Sequence, residues 1–135
     1  METAVLTNAM LVQDSFKDFT DGNIPALLNN LAENVKWYTP GPKEILPWAG
    51  YFDGKEAVAK FFLLLDKEVR FTKFEPKEFI ESGDKVVALG SMEGISKRTG
   101  KTSRSEWAMV FTVKSGKITR FQEFSDTYNT VQAYQ

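Results

Sequence analysis

Acid and amine side chains must carry any chemistry in this chain. It holds 18 Asp and Glu and 17 Lys and Arg, but no histidine and no cysteine. That leaves no imidazole base or ligand, no Ser-His-Asp triad, no thiolate nucleophile and no disulfide. Proton transfer must run through Asp, Glu, Tyr or Lys, with a pKa moved by burial or by neighbours. Glu123 is the carboxyl whose setting points that way. It lies in an arm, 118–126, of alternating character, and shares one face with Thr119, Phe121 and Ser125. The other face carries Ile118, Arg120, Gln122, Phe124 and Asp126. The preceding arm, 105–113, sets Trp107, Met109, Phe111 and Val113 on one side. A carboxylate in the middle of an aromatic face suggests a sheet wrapped around a pocket that holds an acid. No spaced carboxylate loop of the calcium-binding kind occurs, so neither a metal nor a cofactor is expected.

The elements that must position this face follow from period and punctuation. A two-residue period predicts strands at 72–81, 85–97, 102–114 and 117–126. The turns between them are Ser82-Gly83-Asp84, Arg98-Thr99-Gly100-Lys101 and Ser115-Gly116. Pro76, which cannot donate to a ladder, requires an edge or a bulge in the first of these strands. Upstream, Leu6, Met10, Gln13 and Phe16 to Phe19 form a helical stripe that ends at Asp21-Gly22. Asn23 caps a second short helix with Pro25 in its first turn and Leu27, Leu28 and Leu31 facing inward. Val35 to Tyr38 reads as a short strand in which Trp37 is either core or pocket wall. Asp53 is expected to cap a third helix to about Val69, apolar over the arc of Ala57, Val58, Phe61, Phe62, Leu64 and Leu65.

Between that strand and that helix lies a loop, 39–50, with Pro40, Gly41, Pro42, Pro47 and Gly50. Proline and glycine at this density argue against a helix or a central strand. Its apolar residues Ile45, Leu46 and Trp48 make it either a lid over the pocket or a loop packed on the surface. Trp48 and the adjoining Tyr51 are accordingly placed among the ligand-contacting residues.

Composition limits the partners. The length of 135 residues suits one domain, taken as 1–135. A net charge of −1 gives no reason to expect nucleic acid or an anionic membrane. No apolar run approaches the roughly 18 residues of a membrane span. Glu2 and Thr3 do not open a signal-peptide pattern, so a cytoplasmic location is expected.

Four segments in order carry a family resemblance: Asp21-Gly22-Asn23, Leu31-Ala32-Glu33-Asn34-Val35-Lys36-Trp37, Gly54-Lys55-Glu56-Ala57-Val58, and Phe111-Thr112-Val113-Lys114-Ser115-Gly116-Lys117-Ile118. Over nearly its whole length the chain resembles the nuclear transport factor 2-like superfamily, in its SnoaL-like and ketosteroid isomerase-related branch. The resemblance implies an α+β cone, in which a curved, mostly antiparallel sheet wraps three N-terminal helices and leaves a pocket at its wide end. It also implies a homodimer through the outer sheet face. In ketosteroid isomerase the catalytic aspartate falls on Thr39 here, the oxyanion-hole tyrosine on about Ser15 and the protonated aspartic acid on about Met109. All three roles are unfilled, which speaks against that reaction by that mechanism. In limonene epoxide hydrolase a tyrosine and an asparagine fall on Trp37 and Thr39, and its Asp-Arg-Asp set on Glu93, Ser91 and Glu123. Two acids persist without their arginine, so Glu93 and Glu123 are the implied catalytic pair, one of them holding a proton near neutrality.

Trp37, Thr39, Trp48, Tyr51, Ser91, Trp107, Met109 and Phe121 complete the expected pocket. Fold does not fix function, and two classes stay open. One is a cofactor-independent isomerase, cyclase or hydrolase acting on a small apolar carbonyl or epoxide compound. The other is a non-catalytic ligand-carrier or dimerisation domain.

Overall fold

A computed structural model describes residues 7–135, so Glu2, Thr3 and Leu6 lie outside it. The first helix, α1 (Asn8–Thr20), begins where the Thr7 hydroxyl accepts from the Met10 amide at 3.1 Å. It turns Leu11, Val12, Ser15 and Phe16 inward and stops at Gly22, whose φ of 75° suits a residue without a Cβ. Helix α2 (Ile24–Asn29) is capped by Asn23 with Pro25 in its first turn, as its sequence demands. Strand β1 (Leu31–Thr39) follows at once and is longer than the four residues expected. Strand β2 (Gly50–Asp53), which was not foreseen, pairs with β1 in the register Trp37↔Phe52.

Helix α3 (Lys55–Glu68) buries Val58, Phe61 and Phe62. Gly54, not Asp53, stands at its cap. Asp53 instead ends β2, where its carboxylate lies 3.5 Å from Lys36 Nζ. Four long strands follow: β3 (Val69–Ser82), β4 (Lys85–Ser96), β5 (Thr102–Lys114) and β6 (Lys117–Ser125). A last helix, α4 (Thr127–Ala133), is started by Asp126, whose side chain accepts from the Asn129 amide at 3.0 Å.

The six strands form one sheet in the order β2-β1-β6-β5-β4-β3. Every pair is antiparallel except β1 with β6. Pro76 meets both of its requirements: β3 is an edge strand, and the register slips between Pro76 and Glu78. Another slip, between Thr112 and Val113, changes the parity of β6. Ile118, assigned by alternation to the outer face, is thereby carried inside with Phe121 and is 1% exposed.

The sheet curves around the helices as an open cone, and aromatic rings fill the narrow part. Trp107 lies stacked against Phe16 (centroids 5.5 Å apart) and Phe74 (5.3 Å). Opposite Trp107, a Cβ on Gly90 would fall 2.3 Å from the Glu75 carbonyl oxygen and 2.5 Å from the indole. Only glycine lets the ring and the neighbouring strand approach so closely. Among the described residues, no helix is long and apolar enough to cross a membrane.

Candidate functional site

Register brings the site together. On β6, Phe121, Glu123 and Ser125 point to the interior, opposite Phe111, Met109 and Trp107 of β5. On the other side β1 runs parallel to β6 with Trp37 beside Phe121, their rings stacked at 4.0 Å. Thr39 is two residues further along β1, on the same face. Between these strands and the helices is a cavity of about 110 Å³.

Its polarity changes along the sheet. One end is closed by Phe111, Phe121, Trp37 and Ile118, with Phe61 and Phe62 of α3. The other carries hydroxyls from Ser103, Ser105, Ser125, Thr127 and Thr130. Glu123 stands where the two meet, paired with Met109.

Glu123 is the acid of this cavity. Its Oε2 accepts from the Ser125 hydroxyl at 3.0 Å, and among the described residues the lining contains no lysine or arginine. The carboxyl is packed deep in the protein, and the residue as a whole is half-buried where it borders the cavity. Removal from water therefore pushes its pKa up to about 7, opposed only by the Ser125 hydrogen bond.

The loop 40–49 and α4 close the polar end. The Thr39 hydroxyl donates to the Trp48 carbonyl at 2.7 Å and pins the loop to β1. Leu46 is 1% exposed and Trp48 is buried, so the loop is a packed wall. The Trp48 ring meets that of Tyr134 edge-on at 5.0 Å. Just past α4, the Tyr134 hydroxyl donates to the Glu68 carbonyl at 2.6 Å. Burial pushes this phenol up to about 12, so it stays a donor across the neutral range. The Thr99 hydroxyl donates to the Ala133 carbonyl and fastens the helix to the β4–β5 turn.

Of the residues expected here, Trp37, Thr39, Trp48, Met109, Phe121 and Glu123 line the cavity. Four do not. Trp107 is core, 3% exposed behind Phe16 and Phe74. Tyr51 is 71% exposed at the sheet edge, against Tyr38. Ser91 and Glu93 are on the outer face, because the inward set on β4 is Val86, Ala88, Gly90, Met92, Gly94 and Ser96. Glu93 accepts from the Thr72 hydroxyl at 2.7 Å and pairs with Arg104 Nε at 2.6 Å. The Thr72 bond above all, and then Arg104, holds its carboxyl below the usual range. The expected pair of facing carboxyls is therefore corrected to a single acid.

Ser15, Thr39 and Met109, aligned above with the functional groups of ketosteroid isomerase, all line the same cavity. Ser15 is held by bonds to the Leu11 carbonyl and Asn30 Nδ2. The hydroxyl end was missed. Ser103 and Ser105 could have been found by extending the alternation of Trp107 and Met109 backwards. The α4 residues were signalled by Asp126, three before Asn129, as an N-cap.

A family model described as the SnoaL-like domain matches residues 12–121. An NTF2-like protein from Burkholderia xenovorans LB400 is 29% identical, with a TM-score of 0.87, over 97% of this chain and 100% of that one. A second, from Burkholderia thailandensis E264, is 26% identical with a TM-score of 0.86, over 97% and 99%. TerC, co-crystallised with polyporic acid, is 25% identical with a TM-score of 0.77, over 92% and 95%. Among curated proteins no sequence match was found.

Proposed function

The chain belongs to the SnoaL-like domain family of the NTF2-like superfamily, and from that premise we propose that it moves a proton on a small, apolar carbonyl compound, with Glu123 as the one acid-base group. The observation that carries this is a carboxyl with no counter-ion among the described residues, set in a cavity between an aromatic and a hydroxyl-bearing end. A carboxyl titrating near 7 is about half ionised at neutral pH, where one group serves as base and then as acid. The carboxylate takes a proton from the carbon beside the carbonyl, and the C–H electron pair passes into the enolate. The same carboxylic acid then returns the proton to that carbon or to a conjugated one. Ser103 and Thr127, on the same side of the cavity, offer O–H donors to the enolate oxygen. Epoxide opening is a poorer fit, since it calls for a second group across the sheet and Glu93 is on the other face.

A carrier role is the second reading. It is favoured by Thr39, Ser15 and Met109, which stand in the cavity where ketosteroid isomerase is expected to have its two acids and its tyrosine. Hydrogen–deuterium exchange decides between them. Small ketones and enones are incubated with wild type and Glu123→Gln in deuterated buffer and followed by proton NMR. Exchange by wild type that rises through about pH 7 and is absent in the variant supports the enzyme. Binding without exchange at any pH leaves the carrier.

A further inference from the structure

We infer that the occupant of this cavity is an uncharged compound with one ring, or an apolar body of that size, seated with its ring against Phe111 and Phe121 and its carbonyl oxygen toward α4. This rests on the proposed function for the choice of a carbonyl, while size, charge and direction come from the walls.

Size comes first. An apolar cavity of about 150 Å³ accepts one benzene molecule, and the space here is about 110 Å³. Met92 and Met109 both line it, and their unbranched side chains can yield enough for a ring with a short substituent. At the aromatic end a second fused ring would meet Phe61, Phe62 and Trp37. These are already in aromatic contact with one another at 5.1–5.7 Å.

Charge follows from the lining. An anion finds no lysine or arginine there and meets Glu123. A cation would have Glu123 as its partner, but taking both ions from water cancels most of that attraction. A neutral oxygen loses least, because the Ser103 and Thr127 hydroxyls can replace its water, while those of Ser125 and Thr130 are already donated to Glu123 and the Asp126 carbonyl.

Direction follows from register. The step from Phe121 through Glu123 to Ser125 runs from the aromatic end to the hydroxyl end. A ring beside Phe121 with its oxygen near Ser125 puts the substituent carbons next to Glu123.

The test uses four probes and two readouts. Acetophenone, benzoate, benzylamine and 2-acetonaphthone are titrated calorimetrically into the full chain at pH 6 and pH 8. Deuterium exchange into the methyl groups of the two ketones is followed by NMR. We expect acetophenone to bind at least tenfold more tightly than the other three at both pH values. We also expect ring-proton NOEs to Phe111 and Phe121, and methyl-proton NOEs to Thr127. Tighter binding of benzoate, benzylamine or the naphthyl ketone, no binding of acetophenone, or the reverse set of NOEs would overturn the inference. Acetophenone that binds as expected but never exchanges leaves the inference standing and removes the enzyme reading. Exchange on the naphthyl ketone alone removes the inference and leaves the enzyme.

Discussion

Replacing Glu123 with glutamine should make the protein more stable, and by an amount that depends on pH. The ordinary pKa of this carboxyl is 4.5, and burial in the cavity holds it at about 7. Between those values the folded chain keeps a proton that the unfolded chain has released, so stability falls as pH rises. Below the lower value there is no penalty. Above the upper one the penalty is complete, at about 3 kcal/mol, and no longer changes. Glutamine has nearly the same shape, carries no charge and can still take the hydrogen bond from Ser125. The advantage of Glu123→Gln over wild type should thus be under ~1 kcal/mol at pH 5 and about 3 kcal/mol at pH 8. For a domain of this size that is ~10 °C in melting temperature at the higher pH. Calorimetric melts of both proteins at pH 5, 6, 7 and 8, with carbon-13 NMR titration of the Glu123 carboxyl, provide the measurement. Equal melting temperatures at pH 8, or a carboxyl titrating near its ordinary value, would refute the argument. The stabilised variant should also lose proton exchange at every pH, as expected where an unfavourable group is kept for function.

Ser125→Ala removes the one hydrogen bond that favours the ionised carboxyl. The Glu123 titration should therefore move alkaline of wild type, and no movement in the NMR titration would count against that bond. Trp107→Ala should cost about 3–5 kcal/mol in urea unfolding, with no change in affinity for a cavity ligand, since the ring is core and not lining. Gly90→Ala should prevent stable folding, because the new methyl meets the Glu75 backbone as well as the indole; a cooperative melt near that of wild type would show that β3 can give way. An isologous homodimer is proposed through the outer face of β5 and β6, where Phe124 is 53% exposed beside Ala108 and Val110. Sedimentation of wild type and Phe124→Glu at tens of micromolar, an order-of-magnitude working concentration for such an affinity, should show the dimer and its loss.

Where one physical signal dominated, the sequence could be read. The turns at Gly83, Gly100 and Gly116 fall where glycine adopts a positive φ, and Pro76 sits on an edge strand at a bulge. The α2 cap, Asn23, stands where its helix begins, and the α1 stripe points inward. What could not be read depended on long-range pairing. Strand β2 is four residues long and exists because β1 offers it an edge. Helix α4 is short and polar, and is held by Tyr134 to Glu68 and by Thr99 to Ala133, bonds that span 66 and 34 residues.

The misplacement of Glu93 has a more specific cause. Alternation says which side chains share a face, but something else must say which face is inner. On β5 the aromatics decide it. On β4 the two sets are nearly balanced, with Val87, Leu89 and Ile95 on one side and Val86, Ala88 and Met92 on the other. The inner set also includes two glycines, which look like positions with nothing to bury. Their meaning is the opposite: Gly90 is inside because Trp107 and the β3 backbone already occupy the place of its side chain. A glycine facing a tryptophan across an antiparallel pair marks the crowded side of the sheet. Applied to β4, that rule turns Ser91 and Glu93 outward, where Thr72 and Arg104 receive the carboxylate. Among the described residues Glu123 is then left as the cavity's only carboxyl. Its pKa is raised by burial without help from a second negative charge, so the acid-base cycle proposed here returns the proton through the same group that removed it.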